Sequence, residues 1–309
     1  MLNKNSKISV VIPVYMAEFM IEELLSKIVK NLKLISDDYE IILVDDYSTD
    51  KTWEEILNLK KLFPEIIGLK LSRNFGQHAA IHAGLDHVRG NWIIVMDCDL
   101  QDDPAYFEAL YKKALAGWDI VLAKRINRVD NWFKKIFSKI FYKILGYLTD
   151  SAQDSSVANF GIYDQKVISS LKHMNDYIKY FPASINWVGF KKTTIEVKHG
   201  KRMSGKSSYN IKKLINLGLN VVLSFSDKPL RIVVKLGIIV SFISALIASY
   251  YLIMFFLGNI LVPGYTSLIL SIWFLSGVII TTIGMCGLYI GRIFDQSKNR
   301  PVYIVNEKI

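Results

Sequence analysis

Four carboxylates follow one short apolar segment of the chain. Residues 92–96 are apolar, and Asp97, Asp99, Asp102 and Asp103 come after them. Mg²⁺ and Mn²⁺ prefer oxygen ligands, and proteins often hold them with one or two carboxylates and the phosphates of a substrate. Asp97 and Asp99 are therefore candidate metal ligands. Asp102 and Asp103 are expected to cap the next helix and to interact favourably with its dipole.

Glycine-rich phosphate-binding motifs are absent from the sequence. No G-x-G-x-x-G follows the first apolar segment, and no G-x-x-x-x-G-K-[ST] occurs anywhere in the chain. Because these patterns mark dinucleotide-binding turns and P-loops, neither kind of site is expected. If a nucleotide diphosphate binds, something other than a glycine-rich loop must neutralise it, and a divalent cation held by carboxylates would do so.

Apolar segments alternate with amphipathic helical patterns over the first part of the chain. Strands are predicted at residues 8–13, 40–46, 66–72, 91–97 and 119–124, and helices at residues 20–32, 51–63, 78–88 and 104–117. Strands that are apolar throughout and alternate with helices indicate an α/β fold whose mainly parallel sheet is covered on both faces.

Polar residues follow each predicted strand. Open α/β sheets bind ligands beyond the carboxyl ends of their strands, so these residues are expected to form one site. In strand order they are Pro13, Tyr15 and Glu18; Asp45 and Asp46; Arg73 and Asn74; Asp97, Asp99 and Gln101; and Arg125 and Arg128. Loops are commonly polar, so a merely solvated edge of the sheet is the alternative.

Cysteines and histidines give no disulfide or metal pattern. Cys98 and Cys286 are the two cysteines of the chain, which fits a reducing compartment. His78, His82 and His87 fall on one predicted helix without a Cys or Glu partner at ligand spacing. They are interpreted as packing or surface residues.

The C-terminal third is predicted to meet a membrane. No charged residue occurs between positions 236 and 291, and the apolar spans 236–257 and 268–290 are each about the ~20 residues that cross a bilayer. Lysines and arginines flank the pair, and the connecting turn has none. By the positive-inside rule, we expect a multi-pass hairpin in the cytoplasmic membrane with both termini in the cytoplasm. A pair of buried core helices is the alternative.

Two further segments are predicted to lie in the bilayer interface. Residues 130–148 place lysines four apart among aromatic and aliphatic residues, which is typical of an interfacial amphipathic helix, and residues 210–230 would form a juxtamembrane helix. The expected domains are thus 1–209, 210–230 and 231–309, the last being the hairpin with a cytoplasmic tail. Glycines in the second span leave room for a homo-oligomer through the hairpin.

The charge of the chain points to anionic partners. Lys and Arg number 38 and Asp and Glu 28, so the formal net charge is 38 − 28 = +10. Anionic lipids and phosphorylated substrates would account for this excess, and no nucleic-acid-binding motif supports a third partner.

The order of the motifs resembles a known family. PVYMAE, VDDYSTD, SRNFGQHAAIHAGLDHVRG and MDCDLQDDP occur in this order, followed by WVGF and RMSGKSSY. They resemble the family 2 glycosyltransferases of the GT-A fold and, more narrowly, the polyprenyl-phosphate glycosyltransferases, a group that includes dolichol-phosphate mannose synthases and undecaprenyl-phosphate glucosyltransferases. The resemblance covers nearly the whole chain.

The resemblance implies a reaction and roles for the residues. It implies inverting transfer of a hexose, by resemblance from UDP-glucose, to a polyprenyl phosphate at the cytoplasmic membrane face. Asp97 and Asp99 would hold the donor diphosphate through Mg²⁺ or Mn²⁺. The donor would also contact Pro13, Tyr15, Glu18, Asp45, Asp46, Arg73, Asn74 and Gln101. The acceptor phosphate would meet Arg125, Arg128, Arg202, Lys206, Ser207 and Tyr209.

Three positions depart from the family pattern. Met16 replaces an Asn, and Ser208 replaces a Lys whose charge Lys206 would supply. Ala158-Asn159 stands where an Asp-containing G-D-F-R pattern is common. A lipid phosphate is already anionic at neutral pH and needs little help from a general base. Asp154 stays a candidate base or orienting residue, with Asp99 as the other candidate catalytic residue.

Two other functions fit part of the pattern. A processive polysaccharide synthase would usually carry a Q-x-x-R-W motif and more membrane helices, and the sequence has neither. An inactive membrane-tethered scaffold would not need Asp97 and Asp99.

Overall fold

The apolar segments of the first 126 residues form strands, as their composition predicts. The structure, a computed structural model, describes residues 6–126, 146, 157–174, 180–198, 222, 226–257 and 264–309. The chain divides into two compact units. One comprises Met1–Tyr147, Ser151–Ile215 and Arg300–Ile309, and the other Leu148–Asp150 and Asn216–Asn299.

The first unit alternates strands and helices. Its strands are β1 (Ile8–Val14), β2 (Tyr39–Asp45), β3 (Ile66–Leu71), β4 (Trp92–Val95), β5 (Ile120–Ile126), β6 (Val157–Asp164), β7 (Lys192–Lys198) and β8 (Val305–Lys308). Its helices are α1 (Ile21–Ile35), α2 (Thr52–Leu62), α3 (Gln77–Asp86), α4 (Phe107–Leu115), α5 (Gln165–Lys172) and α6 (Phe181–Trp187), and a 3₁₀ turn, Pro104–Tyr106, leads into α4.

The strands form one mixed sheet in the order β7-β5-β6-β4-β1-β2-β3-β8. β6 runs antiparallel to both of its neighbours, β4 and β5, and β8 runs antiparallel to β3. The pairs among β1 to β4 and the pair β5–β7 are parallel. The prediction of a mainly parallel α/β sheet is therefore confirmed.

Helices cover both faces of the sheet. Alternate residues of β1 belong to opposite layers of the core. Val10 is in the cluster that contains residues of α1, α2 and α4, and Val11 is in the cluster that contains residues of α3, α5 and α6. Gly84 lets α3 lie close to β1, because a Cβ at this position would collide with the side chain of Val11. The tight contact fixes α3, whose first residue reaches the candidate site.

The C-terminal segment belongs to this sheet, and the sequence did not predict it. Backbone bonds join Gly68 and Ile309 in both directions, at 3.3 and 3.0 Å. The indole of Trp53 donates to the carboxylate of Glu307 over 3.1 Å. The sequence placed the C-terminal residues in the cytoplasmic tail of segment 231–309, and the structure groups Arg300–Ile309 with the first unit.

The second unit contains two long helices, α7 (Lys228–Phe256) and α8 (Tyr265–Ser297). They cover most of the two predicted spans. Among the described residues, one helical segment, Ser271–Ser297, has the length and composition of a membrane-crossing helix. The hairpin with two crossings therefore stays a prediction.

Candidate active site

The sheet register brings the loops after β1, β2 and β4 together. Val14 lies opposite Asp45 at the ends of β1 and β2. Three non-glycine residues in these loops have positive φ angles: Met16 at 53°, Tyr47 at 62° and Leu100 at 59°. Strained backbone of this kind collects at functional sites, so its position supports the edge of the sheet that the sequence predicted.

The loops after β1 and β2 are bonded to each other. The amide of Met16 donates to the hydroxyl of Ser48 over 2.9 Å. The amide of Lys51 donates to the carboxylate of Glu18 over 2.8 Å. Glu18, a predicted donor contact, thus fixes the two loops, and the side chain of Tyr15 beside it is half exposed.

Asp45 ends β2 and is fully buried. One carboxylate oxygen, Oδ1, accepts a hydrogen bond from the amide of Ser48 over 3.0 Å. Among the described residues, its Oδ2 has no hydrogen-bond partner. Burial raises the pKa of Asp45, and the bonds from Ser48 oppose the shift. A buried carboxylate oxygen with no partner is costly, so a ligand donor at this oxygen would be favourable.

Asp46 bonds to the loop that precedes α3. Its Oδ1 accepts from the amide of Phe75 over 2.7 Å, and its Oδ2 accepts from the amide of Gly76 over 2.9 Å. The side-chain amide of Asn74 donates to the carbonyl of Asp46 over 3.2 Å. Burial raises the pKa of the carboxyl, and the two backbone donors oppose this. Both oxygens hold the protein's own backbone, so Asp46 positions the site.

Asp97 follows β4 and is bonded to amide side chains. The Nε2 of Gln77 donates to its Oδ1 over 2.6 Å, and the side chain of Asn159 is a second hydrogen-bond donor. Burial raises the pKa of Asp97 to about 7, and the charges of Asp102 and Asp99 add to the effect. Carboxylates are therefore crowded here in a region that water reaches poorly.

Asp99 and Cys98 continue the loop after β4. The amide of Gln101 donates to the Oδ1 of Asp99 over 3.2 Å, which fixes the turn. Burial raises the pKa of the Cys98 thiol to about 12, so the thiol stays protonated at neutral pH and packs beside the core. Asp99 is half-buried and lies two residues after Asp97. The negative charge of its carboxylate helps to raise the pKa of Asp97.

The structure gives Asp102 a different role from the helix cap that the sequence predicted. Asp102 is 2% exposed, and its carboxylate forms an ion pair with the guanidinium of Arg125, Nη2 to Oδ1 at 3.2 Å. Asp103 alone caps the turn, accepting from the amide of Ala105 over 2.9 Å. Arg125 lies near the end of β5 and was predicted to bind the acceptor phosphate. In the structure its guanidinium is held by the carboxylate of Asp102.

The donor set fits a hard divalent cation that binds together with a phosphate ligand. Three carboxylates, Asp97, Asp99 and Asp102, interact electrostatically, with Arg125 as the opposing cation. No group of three or more His, Cys, Asp or Glu side chains with metal-binding geometry occurs in the described part of the chain. Mg²⁺ and Mn²⁺ suit such a site, because they need few protein ligands when substrate phosphates and water complete the shell.

Other predicted site residues have varied positions. Pro13 is buried within β1, and Arg73 is exposed with its guanidinium over the ring of Phe75 at 4.7 Å. The residues outside the described part of the chain are Arg128, Asp154, Arg202, Lys206, Ser207 and Tyr209, together with nearly all of the segments 130–148 and 210–225.

The sequence reading missed Gln77 and Asn159 as site residues. Gln77 lies inside the motif SRNFGQHAAIHAGLDHVRG, and Asn159 stands at the position of the departure from G-D-F-R. Their closeness to Asp97 depends on the contact of α3 with β1 and on the pairing of β6 with β4. Local patterns carry no signal for either.

The chain is similar to curated glycosyltransferases over almost its whole length. It is 36% identical to a bactoprenol glucosyl transferase of Shigella phage SfV, over 98% of this chain and 99% of that protein. It is 35% identical to an uncharacterised glycosyltransferase of Synechocystis, over 97% of this chain and 95% of that protein.

A solved structure shares the fold. It is glucosyl-3-phosphoglycerate synthase of Mycobacterium tuberculosis in complex with Mn²⁺, uridine diphosphate and glucosyl-3-phosphoglycerate. The TM-score is 0.51 at 18% identity, over 71% of this chain and 78% of that chain. This likeness concerns the GT-A fold alone. The sequence model described as Glycosyl transferase family 2 matches residues 9–172. With its strand-end carboxylates and its full-length relatives, the chain belongs to glycosyltransferase family 2.

Proposed function

We propose that the protein transfers glucose from UDP-glucose to a polyprenyl phosphate at the cytoplasmic face of a membrane. The observation that carries the proposal is the pair Asp97 and Asp99 at the end of β4, in a chain that matches a bactoprenol glucosyl transferase from end to end. The geometry supports a diphosphate donor, and the name of the relative supports the sugar and the acceptor.

The donor would lie across the ends of β1, β2 and β4. The buried Oδ2 of Asp45 would accept a hydrogen bond from the nucleotide. Tyr15 follows β1, the strand next to β2, and its ring is half exposed. Asp97 and Asp99 would face the diphosphate. A bound Mg²⁺ or Mn²⁺ would offset the charge that develops on the departing diphosphate.

The acceptor phosphate would approach from the side of β5. Arg125 lies at this end of the site and pairs with Asp102 in the structure. In the reaction, a phosphate oxygen forms a bond to the anomeric carbon. The bond from that carbon to the diphosphate oxygen breaks, and its electron pair leaves with the nucleoside diphosphate. Attack opposite the leaving group inverts the anomeric configuration.

The residue at position 159 suits an acceptor that is already ionised. Asn159 bonds to Asp97 through its amide, which cannot act as a general base. A phosphate monoester has its second pKa near ~6 and is largely a dianion at neutral pH. Catalysis then depends on positioning and on charge stabilisation, which the fixed strand ends provide.

Transfer into lipid extracts tests the reaction. Membranes that contain the protein would be incubated with radiolabelled UDP-glucose and undecaprenyl phosphate, with and without EDTA. A lipid-soluble glucoside that forms without EDTA and is absent with it is expected. A water-soluble polymer would indicate a processive synthase instead, and absence of any product would indicate a scaffold.

Replacing Asp99 tests the site itself. Asp99→Asn should lower the rate of transfer by about 100-fold or more, because a carboxylate ligand to the cation is lost. Asp103→Asn is the matched control, since Asn also caps helices and this side chain accepts a single backbone bond. Equal rates of transfer in the two variants, with unchanged melting temperatures, would show that Asp99 is not a ligand of the cation.

A further inference from the structure

Two amide side chains approach Asp97 from different layers of the fold. Gln77 is the first residue of α3, which covers one face of the sheet, and its Nε2 donates to the Oδ1 of Asp97 over 2.6 Å. Asn159 belongs to β6, the strand beside β4, and its side chain also donates to Asp97. The carboxylate is therefore bonded from the sheet and from the helix layer.

The position of Asn159 follows from strand register. β4 and β6 are antiparallel, with Val95 opposite Gly161. Continuing the ladder by two residues places Asp97 opposite Asn159, and paired residues in an antiparallel ladder have neighbouring side chains. Any shift of β6 by one residue would turn the amide to the other face of the sheet.

The position of Gln77 is fixed at both ends of α3. Close to the C-terminal end, Gly84 lets the helix lie against Val11 of β1. At the N-terminal end, the carboxylate of Asp46 holds the amides of Phe75 and Gly76, directly before Gln77. The side chain of Gln77 thus projects from a helix that two sheet strands hold in place.

Amide donors at these positions orient the carboxylate of Asp97. An NH₂ group donates a hydrogen bond, fixes the rotation of the carboxylate and leaves its other lone pairs available to a cation. Partners of this kind orient metal ligands, and their loss typically weakens metal binding by about 10- to 100-fold. Neither amide gains or loses a proton, so their contribution is geometric.

We propose that Gln77 and Asn159 are positioning residues that hold the carboxylate of Asp97 in the orientation that binds a divalent cation on a nucleotide diphosphate. The inference rests on the proposed function, in that a cation and a nucleotide diphosphate occupy this site. It assigns Asn159 an orienting role at a position where the family pattern raises the question of a catalytic base.

Binding of Mn²⁺ in the presence of UDP tests the inference directly. The full-length protein in detergent would be titrated with Mn²⁺ at saturating UDP, by calorimetry. Gln77→Met and Asn159→Leu keep the approximate size of each side chain and remove the donor. The Mn²⁺ dissociation constant is expected to rise about 10-fold or more in each variant. Gln165→Met, an exposed glutamine at the start of α5, is the matched control and should bind as the wild type does.

The dependence of transfer on Mn²⁺ separates orientation from general damage to the fold. If the two amides orient Asp97, saturating Mn²⁺ should restore most of the maximal rate in Gln77→Met, with an unchanged melting temperature. Unchanged Mn²⁺ dissociation constants in both folded variants would overturn the inference. A wild type that binds Mn²⁺ and UDP but glucosylates no polyprenyl phosphate would overturn the proposed function and leave the binding comparison intact.

Discussion

The environment of each ionisable side chain decides what that residue does at this site. Burial makes the charged form of a group less favourable, so it raises the pKa of Asp97 to about 7 and lowers the pKa of His78 to about 4. His78 packs edge-on against Tyr180, with ring centroids 4.7 Å apart, and its Nδ1 is buried without a partner among the described residues. At neutral pH this imidazole is therefore uncharged.

Neutral His78 predicts a pH dependence of stability. In the unfolded chain a histidine has a pKa of about 6.5, so below this pH the unfolded state binds the proton more tightly. The free energy of unfolding should fall as the pH drops from about 6.5 to about 4, the pKa of His78 in the fold. His78→Phe keeps a ring beside Tyr180 and should remove this part of the loss. Thermal unfolding of both proteins from pH 7.5 to 4.5 measures it.

The stability of the wild type must be compared with that of His78→Phe at each pH, because the titration of Asp97 changes the stability in the opposite direction. Its raised pKa of about 7 means that the folded state gains the proton first, so its contribution to stability rises as the pH falls below about 7. This contribution is common to wild type and variant and cancels in the difference. Melting temperatures that fall in parallel with pH would show that His78 does not titrate as inferred.

Residue types and spacing were sufficient to propose a site at the strand ends but not to assign every contact within it. Asp97 and Asp99 could be chosen because a carboxylate pair after an apolar strand is a local pattern. Asp102 was misassigned because its partner, Arg125, lies 23 residues further along the chain and meets it only in the fold. Gln77 was missed for the same physical reason, since its bond to Asp97 spans 20 residues.

At the scale of elements, Asp46 connects the end of β2 to the segment between β3 and α3. It follows β2, and its carboxylate bonds the amides of Phe75 and Gly76 between β3 and α3. Gly76 has a φ of 94°, so the loop enters the helix through a conformation that favours glycine. The start of α3, and with it Gln77, depends on this connection.

Asp46→Asn should therefore destabilise the protein and loosen the start of α3. The new side chain keeps one acceptor oxygen and turns an NH₂ group toward a backbone donor, so one buried hydrogen bond is lost at about 1–3 kcal/mol. Amide hydrogen exchange over residues 73–80 should become faster, and the melting temperature should fall by several degrees.

Asp50→Asn is the matched control for that substitution. The Oδ1 of Asp50 accepts one bond, from the amide of Thr52 over 3.1 Å, and Asn can accept the same bond. Exchange over residues 73–80 should stay as in the wild type. Equal protection of this segment in Asp46→Asn would contradict the role given to Asp46.

Elements with strong local patterns were predicted, and those that depend on distant pairing were not. The strands β1 to β5 and the helices between them follow from apolar runs and helical periodicity. β8 spans Val305–Lys308 and is largely exposed and polar, so its sequence carries little strand signal. It forms because β3 offers an open edge, to which Ser72 also contributes a backbone bond with Ile304 over 2.9 Å.

At the scale of the whole molecule, the pairing of β8 with β3 restricts the path of the chain across a membrane. β3 precedes the long apolar helices and β8 follows them, yet both belong to one sheet. A sheet cannot be divided by a bilayer, so if the chain crosses a membrane between these strands, it does so an even number of times. A single crossing by Ser271–Ser297 would place β8 on the wrong side. We therefore expect α7 to cross as well.

Cysteine labelling tests this expectation. In a background with Cys98→Ser and Cys286→Ser, single cysteines would replace Lys172 in the sheet unit, Asn259 between the predicted spans, or Lys298 after α8. A membrane-impermeant maleimide added to intact cells should label the cysteine at 259 alone, and the other two should react after lysis. If the cysteines at 172 and 259 behave alike and differ from that at 298, one helix crosses. The pairing of β8 with β3 could then not form within one chain.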